Sequence, residues 1–420
     1  MRSRVAERVP GGVGIEAINA YGGAASIPVL DLFRGRRLDP ERFSNLMMQE
    51  RGVALPFEDP VTNAVNAARP ILDAMSPEAR ERIELLVTSS ESGVDFSKSI
   101  SSYAHEHLGL SRHCRFLEVK QACYAATGAL QLALGYIASG VSPGAKALVI
   151  ATDVTLVDES GLYSEPAMGT GGVAVLLGDE PRVMKMDLGA FGNYSYDVFD
   201  TARPSPEIDI GDVDRSLFTY LDCLKHSFAA YGRRVDGVDF VSTFDYLAMH
   251  TPFAGLVKAG HRKMMRELTP CDVDEIEADF GRRVKPSLQY PSLVGNLCSG
   301  SVYLSLCSII DTIKPERSAR VGMFSYGSGC SSEFFSGVIG PESVSALAGL
   351  DIGGHLRGRR QLTFDQYVEL LKENLRCLVP TKNRDVDVER YLPLVTRTAS
   401  RPRMLALRRV VDYHRQYEWV

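Results

Sequence analysis

The sequence predicts an α/β protein whose helices cover a mostly parallel sheet, and three observations carry that expectation. Short apolar, β-branched runs bounded by Gly, Ser or Asp stand at residues 83–90 (IELLVTSS), 147–154 (ALVIATDV) and 172–178 (GVAVLLG). They read as strands buried on both faces. Segments of helical length, roughly 97–108 and 123–139, lie between them, an alternation suited to a sheet that must bury its apolar faces. The second half repeats the style with different spacing: 216–232 and 255–268 read as helices, 241–249 and 320–326 (RVGMFSY) as strands. No repeat is visible residue by residue. The similar composition is compatible with two α/β halves, taken as residues 1–180 and 181–380, followed by a basic extension over 381–420.

Two segments break the pattern. Residues 200–212 (DTARPSPEIDIGD) are rich in Pro and Asp and predict a loop or extended excursion. From Arg390 to Val420 the chain holds seven Arg against Asp412 and Glu418, with the single Trp at 419. This tail reads as a solvated, partly helical extension on the surface. The sharper alternative is a basic patch, built from Arg401, Arg403, Arg408 and Arg409, for an acidic partner.

Composition narrows the function. At 420 residues the chain exceeds a usual single domain. Its hydrophobic fraction of 45% and charged fraction of 24% are ordinary for a globular protein. A net charge of −5 offers no general case for nucleic-acid binding. No apolar run approaches the roughly 20 residues needed to span a bilayer. The opening MRSRVAERVPGGVGIEA has positive charge without the apolar core of a secretory signal. Eight dispersed cysteines without a CxxC pair suit neither a disulfide framework nor a zinc site, and indicate a reducing, cytoplasmic setting.

The chemistry centres on EVKQACYAATGAL, residues 118–130. Cys123 follows a strand-like RFLEV and opens a helix of small residues. The first helical turn presents unpaired N–H groups and a positive dipole end, so a thiolate there is expected to be stabilised and nucleophilic. The plainer reading is inert filling, as for most cysteines. Glu91, in LLVTSSESG, ends an apolar strand, where ligand crevices of α/β sheets lie. It is a candidate general acid/base, or else a helix N-terminal residue. His250, in FDYLAMHTPF, also ends a strand-like run; a lone histidine is as often structural. Asn296 lies in LVGNLCSGS, and Gly327, Ser328 and Gly329 form the turn of FSYGSGC. Backbone N–H groups of such a turn can face a developing oxyanion, the alternative being a plain β-hairpin.

Other signals fail. His105 and His107 point to different faces of a helix, GVSPGAK lacks P-loop spacing, and GTGG at 169–172 lacks the dinucleotide fingerprint. No Gly-x-Ser-x-Gly elbow is present. No cofactor is expected.

Six motifs, GIEAINAYGG, SSESG, QACYAATGAL, HTPF, GNLCSGS and VGMFSYGSG, occur in the order in which the 3-hydroxy-3-methylglutaryl-CoA synthase family has them, and the chain resembles that family over nearly its whole length. ALPFEDPVTNAVNAA, ESGVDFSKS, FLEVKQACY and the ending DYHRQYEWV are more similar to the branch that installs β-branches on carrier-protein-bound polyketides. The resemblance implies a thiolase-type fold of two related halves in αβαβα layers, and a homodimer. It implies that Cys123 takes an acetyl group from a thioester, and that Glu91 deprotonates the acetyl methyl group. His250 then polarises the acceptor's β-keto group with help from Asn296. Backbone N–H groups at Cys123 and in the Gly327–Gly329 turn would hold the thioester oxygen, with Ser328 in that turn, and Cys330 would only pack. Donor and acceptor acyl carrier proteins are the implied partners, with substrates on phosphopantetheine and no metal or redox cofactor. The rival readings are the same reaction on acetyl-CoA and acetoacetyl-CoA, a ketosynthase lacking the glutamate, and a non-catalytic thiolase-fold scaffold.

Overall fold

The computed structural model describes residues 12–206 and 208–420; the leader reading of the first residues falls largely outside them. Nine strands form one sheet: β1 Gly14–Tyr21, β2 Ile83–Ser89, β3 Arg115–Val119, β4 Lys146–Val154, β5 Thr170–Gly178, β6 Met184–Ser195, β7 Tyr246–Met249, β8 Ala319–Gly327 and β9 Ser331–Ile339. Their order is β7-β8-β9-β6-β1-β5-β4-β2-β3. The principal helices are α1 Pro60–Asp73, α2 Ile100–Leu108, α3 Ala125–Ala138, α4 Val213–Gly232, α5 Ala254–Leu268 and α6 Ser301–Ile313.

The sheet consists of two half-sheets joined where Gly14 and Ile15 of β1 meet Lys185 and Met184 of β6. Outward from that seam the first half runs β1, β5, β4, β2, β3, with two antiparallel steps and then two parallel ones. The second half runs β6, β9, β8, β7 with the same beginning: antiparallel, antiparallel, parallel. The two halves are thus variants of one strand plan, as a thiolase-type fold requires.

Alternation along the strands builds the layers, since successive side chains point to opposite faces. Ala147, Val149 and Ala151 of β4 join a central core with Val321 and Met323 of β8 and with both α3 and α6. Leu148 and Ile150 face the other way, onto α1 and α2. In the second half Leu247, Met249 and Phe324 face α4 and α5. The result is helix, sheet, helix, sheet, helix. The middle layer explains much of the composition of α3 (AATGALQLALGYIA), whose Ala125, Ala126, Ala129, Leu130, Ala133 and Leu134 are buried between the sheets while Leu132 is exposed.

Two expectations need correction. The sheet is mixed rather than mostly parallel: only β2–β3, β2–β4 and β7–β8 pair in parallel. Strands buried on both faces are apolar whatever their direction, so their composition carries no sense of polarity. The short link at residues 328–330 was the informative feature, because antiparallel neighbours need only a tight connection.

The tail is no solvated extension. Leu405–Val411 and His414–Trp419 form a hairpin, β10 and β11, docked on the start of α1. Arg415 Nη1 and Tyr417 OH both donate to Asp59 Oδ2, at 2.9 and 2.8 Å, and Leu407 N donates to the Phe57 carbonyl. The preceding helix Phe364–Asn374 also packs into the core of the first half, so the chain returns to that half well before residue 381. The four arginines of the supposed patch are engaged internally. Arg401 donates to Asn19 Oδ1 and the Ala20 carbonyl, Arg403 to the Trp419 carbonyl, Arg408 to Glu389 and Arg409 to Gln416.

Candidate active site

Glu91 and Cys123 meet. Cys123 Sγ donates to Glu91 Oε1 at 2.9 Å. Each reaches this point from the end of a strand in the first half. Glu91 lies two residues beyond β2, where Ser90 and Ser92 hydroxyls and the Glu91 backbone N–H all donate to Asp153 Oδ1, at 3.3, 2.9 and 2.8 Å. Asp153 itself ends the neighbouring parallel strand β4. The parallel pairing therefore delivers two carboxylates to the same rim. Arg203 closes this side, donating to the Glu91 carbonyl at 3.2 Å and pairing with Asp209. It comes from the excursion expected over 200–212, which forms a ribbon of Thr201–Ser205 against Ile208–Gly211.

Cys123 sits in the short turn Ala122–Tyr124 between β3 and α3, with Ala122 at φ 43°. Its expected acidity is overturned. A hydrogen bond with Cys298 lowers the thiol's pKa, but burial, the charge and hydrogen bond of Glu91 and the charge of Asp153 together push it up to about 12. The helix-end argument fails because a carboxylate in contact, in a desolvated setting, outweighs a partial charge of about half a unit. The thiol thus rests protonated with its acceptor in place, an arrangement in which the base takes the proton as sulfur attacks. Asp153 is also raised above the ordinary carboxylate range, by burial first and then by the charge of Glu91.

The glycine turn comes from the second half. A β-carbon at Gly327 would lie 2.4 Å from Tyr124 N and 2.6 Å from the Gln121 carbonyl oxygen, so only glycine lets β8 end against the Cys123 turn. Gln121 Nε2 donates across the gap to the Ser328 carbonyl at 3.3 Å. FSYGSGC is thus both the hairpin turn between β8 and β9 and a wall of the site. Not every N–H of the turn is free, however. Gly329 N–H donates to Asp200 Oδ1 at 3.0 Å, which assigns it to shaping the turn rather than to an oxyanion. Among the described residues, no acceptor engages the backbone N–H of Cys123 or of Ser328.

His250 follows β7 as Glu91 follows β2, the corresponding strand of the other half. It is 2% exposed. Its backbone N–H donates to Phe324 O at 2.7 Å and its carbonyl accepts from Tyr220 OH at 2.9 Å, fixing it beside the end of β8. Its Nδ1 has no protein partner. Burial pushes its pKa down to about 3, so the ring is a neutral imidazole at any working pH. Asn296 is held by Gly295 at φ 94° and by backbone bonds to Ala167 and Gly169. Its Oδ1 accepts from Cys298 N and Ser301 Oγ, both at 2.9 Å. Only a long contact with Met168 Sδ, 3.9 Å, engages its Nδ2, which leaves the amide free to donate.

Sequence reasoning missed two members of this neighbourhood. Asp153 closes the apolar run ALVIATDV, a signal equal to the one that singled out Glu91. Cys298, one of eight free cysteines, gave no local signal; it is placed by the packing of its turn against that of Cys123. Cys330 is buried 3.6 Å from Cys223, sulfur to sulfur.

The chain's relatives share this plan. Profiles described as Hydroxymethylglutaryl-coenzyme A synthase N terminal and C terminal match residues 10–182 and 272–385. The chain is 47% identical over 416 residues to the polyketide biosynthesis 3-hydroxy-3-methylglutaryl-ACP synthase PksG of Bacillus subtilis (strain 168), covering 97% of this chain and 99% of that protein. It is 32% identical over 373 residues to a hydroxymethylglutaryl-CoA synthase of Enterococcus faecalis, covering 86% and 92%. A crystal structure of the curacin biosynthetic pathway HMG synthase in complex with holo donor-ACP superposes with a TM-score of 0.94 at 47% identity, over 97% of this chain and all of that one. By fold, by both profiles and by these full-length relatives, the chain belongs to the hydroxymethylglutaryl-coenzyme A synthase family.

Proposed function

We propose that this enzyme starts β-branch formation on polyketides: it condenses an acetyl group, loaded on Cys123, with the β-keto group of a carrier-bound chain and then hydrolyses the thioester. The observation that carries the chemistry is the 2.9 Å contact between Cys123 Sγ and Glu91. Support for carrier proteins, rather than free CoA, comes from two 47% identical relatives, one described as an ACP synthase and one crystallised with donor-ACP. A 28% identical relative, MvaS, was crystallised with 3-hydroxy-3-methylglutaryl coenzyme A.

The groups divide the work as follows. Glu91 accepts the thiol proton while Cys123 attacks the acetyl thioester, and the carrier thiol leaves. The acetyl group is then tethered beside Glu91, which turns methyl deprotonation into a local event. The free N–H groups of Cys123 and Ser328 hold the enolate oxygen. His250, kept neutral by burial, polarises the acceptor ketone with Asn296 Nδ2; the enolate carbon adds to it, and the proton that Glu91 took from the methyl group passes to the new alkoxide. Glu91 activates water to release the carboxylate arm. Each step is proton transfer, acyl transfer or carbon–carbon bond formation, and none calls for a metal or redox cofactor.

Acetyl transfer to Cys123 should be faster by at least tenfold from acetyl-carrier protein than from acetyl-CoA, measured as the rate of adduct formation by intact-mass spectrometry. A clear preference for acetyl-CoA would move the enzyme to the CoA reaction. The acceptor is proposed to be a carrier protein as well.

A homodimer completes the reading. β3 is the outer edge of the sheet, and its Phe116 and Leu117 are 44% and 42% exposed. An edge strand with bare apolar side chains invites pairing, and a second copy meeting it edge to edge would cover both. Phe116→Asp with Leu117→Asp should convert a dimer into monomers in sedimentation equilibrium; an unchanged mass would place the interface elsewhere. No helix among the described residues is long and apolar enough to cross a membrane.

A further inference from the structure

Cys298 is to the second half what Cys123 is to the first. Cys123 lies in the turn before α3, next to Ala122 at φ 43°; Cys298 opens the short turn Cys298–Gly300 before α6, itself at φ 47°. The two helices share the central layer, and their starting turns pack together. One oxygen of Glu91 and the sulfurs of Cys123 and Cys298 consequently all lie within 4.8 Å of one another. The Cys298 N–H bond to Asn296 Oδ1 fixes the second thiol in place. Cys298 carries no acyl group and moves no proton in the chemistry described above; it only hydrogen-bonds the Cys123 thiol.

A second observation points the same way. Asp153 is 1% exposed, and its Oδ2 has no hydrogen-bond partner. Two carboxylates and two thiols thus share one enclosed corner. The nearest guanidinium, Arg203, is shared with Asp209, so negative charge there is incompletely answered.

We propose that Glu91, Cys123 and Cys298 form a site for a thiophilic divalent cation, zinc foremost, whose occupation blocks acetyl loading. Tetrahedral zinc takes sulfur at about 2.3 Å and carboxylate oxygen at about 2.0–2.2 Å, so its ligand atoms stand roughly 3.6–3.8 Å apart. The present separations, 2.9 Å between Cys123 Sγ and Glu91 Oε1 and at most 4.8 Å within the trio, bracket that spacing. Two Zn–S bonds and one Zn–O bond form, both thiol protons pass to solvent, and a water keeps the fourth position. The two sulfurs select against magnesium and calcium, which take oxygen ligands.

The site deepens the functional reading only in its consequence, inhibition. Binding itself is measured without turnover, so loss of zinc affinity and loss of acetylation are separate results.

The test uses the full chain with zinc alone, competed against a chromophoric chelator, and cobalt(II) as a spectroscopic substitute. The wild type should bind one zinc per chain. Cys298→Ala should weaken it more than 100-fold, beyond the 10–100-fold cost of losing a supporting group, and should halve the thiolate-to-cobalt charge-transfer band. Cys330→Ala should change neither. In EDTA, Cys298→Ala should still take acetyl onto Cys123, and should continue at zinc concentrations that block the wild type. If the alanine variant folds poorly, Cys298→Ser serves the same comparison. Zinc bound equally by wild type and Cys298→Ala, or retained after Cys123 is acetylated, overturns the proposal.

Discussion

Cys123→Ser should leave the enzyme unable to form its acetyl adduct, with a fall in loading of about 10⁴-fold or more, the scale seen when a covalent nucleophile is removed. Serine preserves the turn and the hydrogen bond toward Glu91, so the substitution isolates the sulfur. A hydroxyl is a much weaker nucleophile at neutral pH, and Glu91 alone does not compensate, since no histidine backs it as in a hydrolase triad. The measurement is intact-mass spectrometry followed by peptide mapping after incubation with acetyl-carrier protein. An adduct appearing on Cys298 instead would transfer the nucleophile's role to the neighbouring thiol and end the assignment of Cys123.

Glu91→Gln should separate two steps. It should still accumulate acetyl-Cys123 on prolonged incubation, while condensation falls by about 10²–10⁴-fold, the range attributed to a general base. The amide keeps the size of the side chain but can neither strip the acetyl methyl group nor activate water. It also removes a charge that holds the Cys123 thiol up at about 12. Without that charge the thiol pKa falls, so the pH profile of iodoacetamide labelling at Cys123 should move to lower pH in the variant. That shift distinguishes an electrostatic partner from a residue that merely packs. If Glu91→Gln loses acetylation as completely as Cys123→Ser, then Glu91's indispensable duty is the thiol proton, and methyl deprotonation belongs to another group.

Much of this site was legible because it obeys strand-end logic. Glu91 and His250 terminate apolar runs, and Cys123 stands between a strand and a helix of small residues; those features survive in any fold that layers helices on sheets. What the sequence could not convey was the sign of an electrostatic balance. The helix end argued for an acidic thiol, and only the 2.9 Å contact with Glu91 shows the opposite. The glycine turn was legible as a motif, but the use of its N–H groups was not: Gly329 N–H is taken by Asp200, some 130 residues earlier in the chain. The tail was misread because arginine suggests solvent, whereas here Arg415 lies buried against Asp59. β6 escaped notice because its residues are only partly buried along much of its length, so it shows no continuous apolar run.

The seam between the half-sheets is short, pairing Gly14 and Ile15 with Lys185 and Met184 beside two hydrogen bonds, Val183 N–H to the Ile15 carbonyl and Met186 N–H to the Val13 carbonyl, yet Glu91 and Cys123 follow strands on one side of it and His250 a strand on the other. Under the proposed roles, loading and acceptance are lodged in different copies of a shared strand plan. Drift in the copy that receives the ketone can retune which chain is chosen while the copy that carries the acetyl group stays intact, so one scaffold can diversify its clientele without rebuilding its engine.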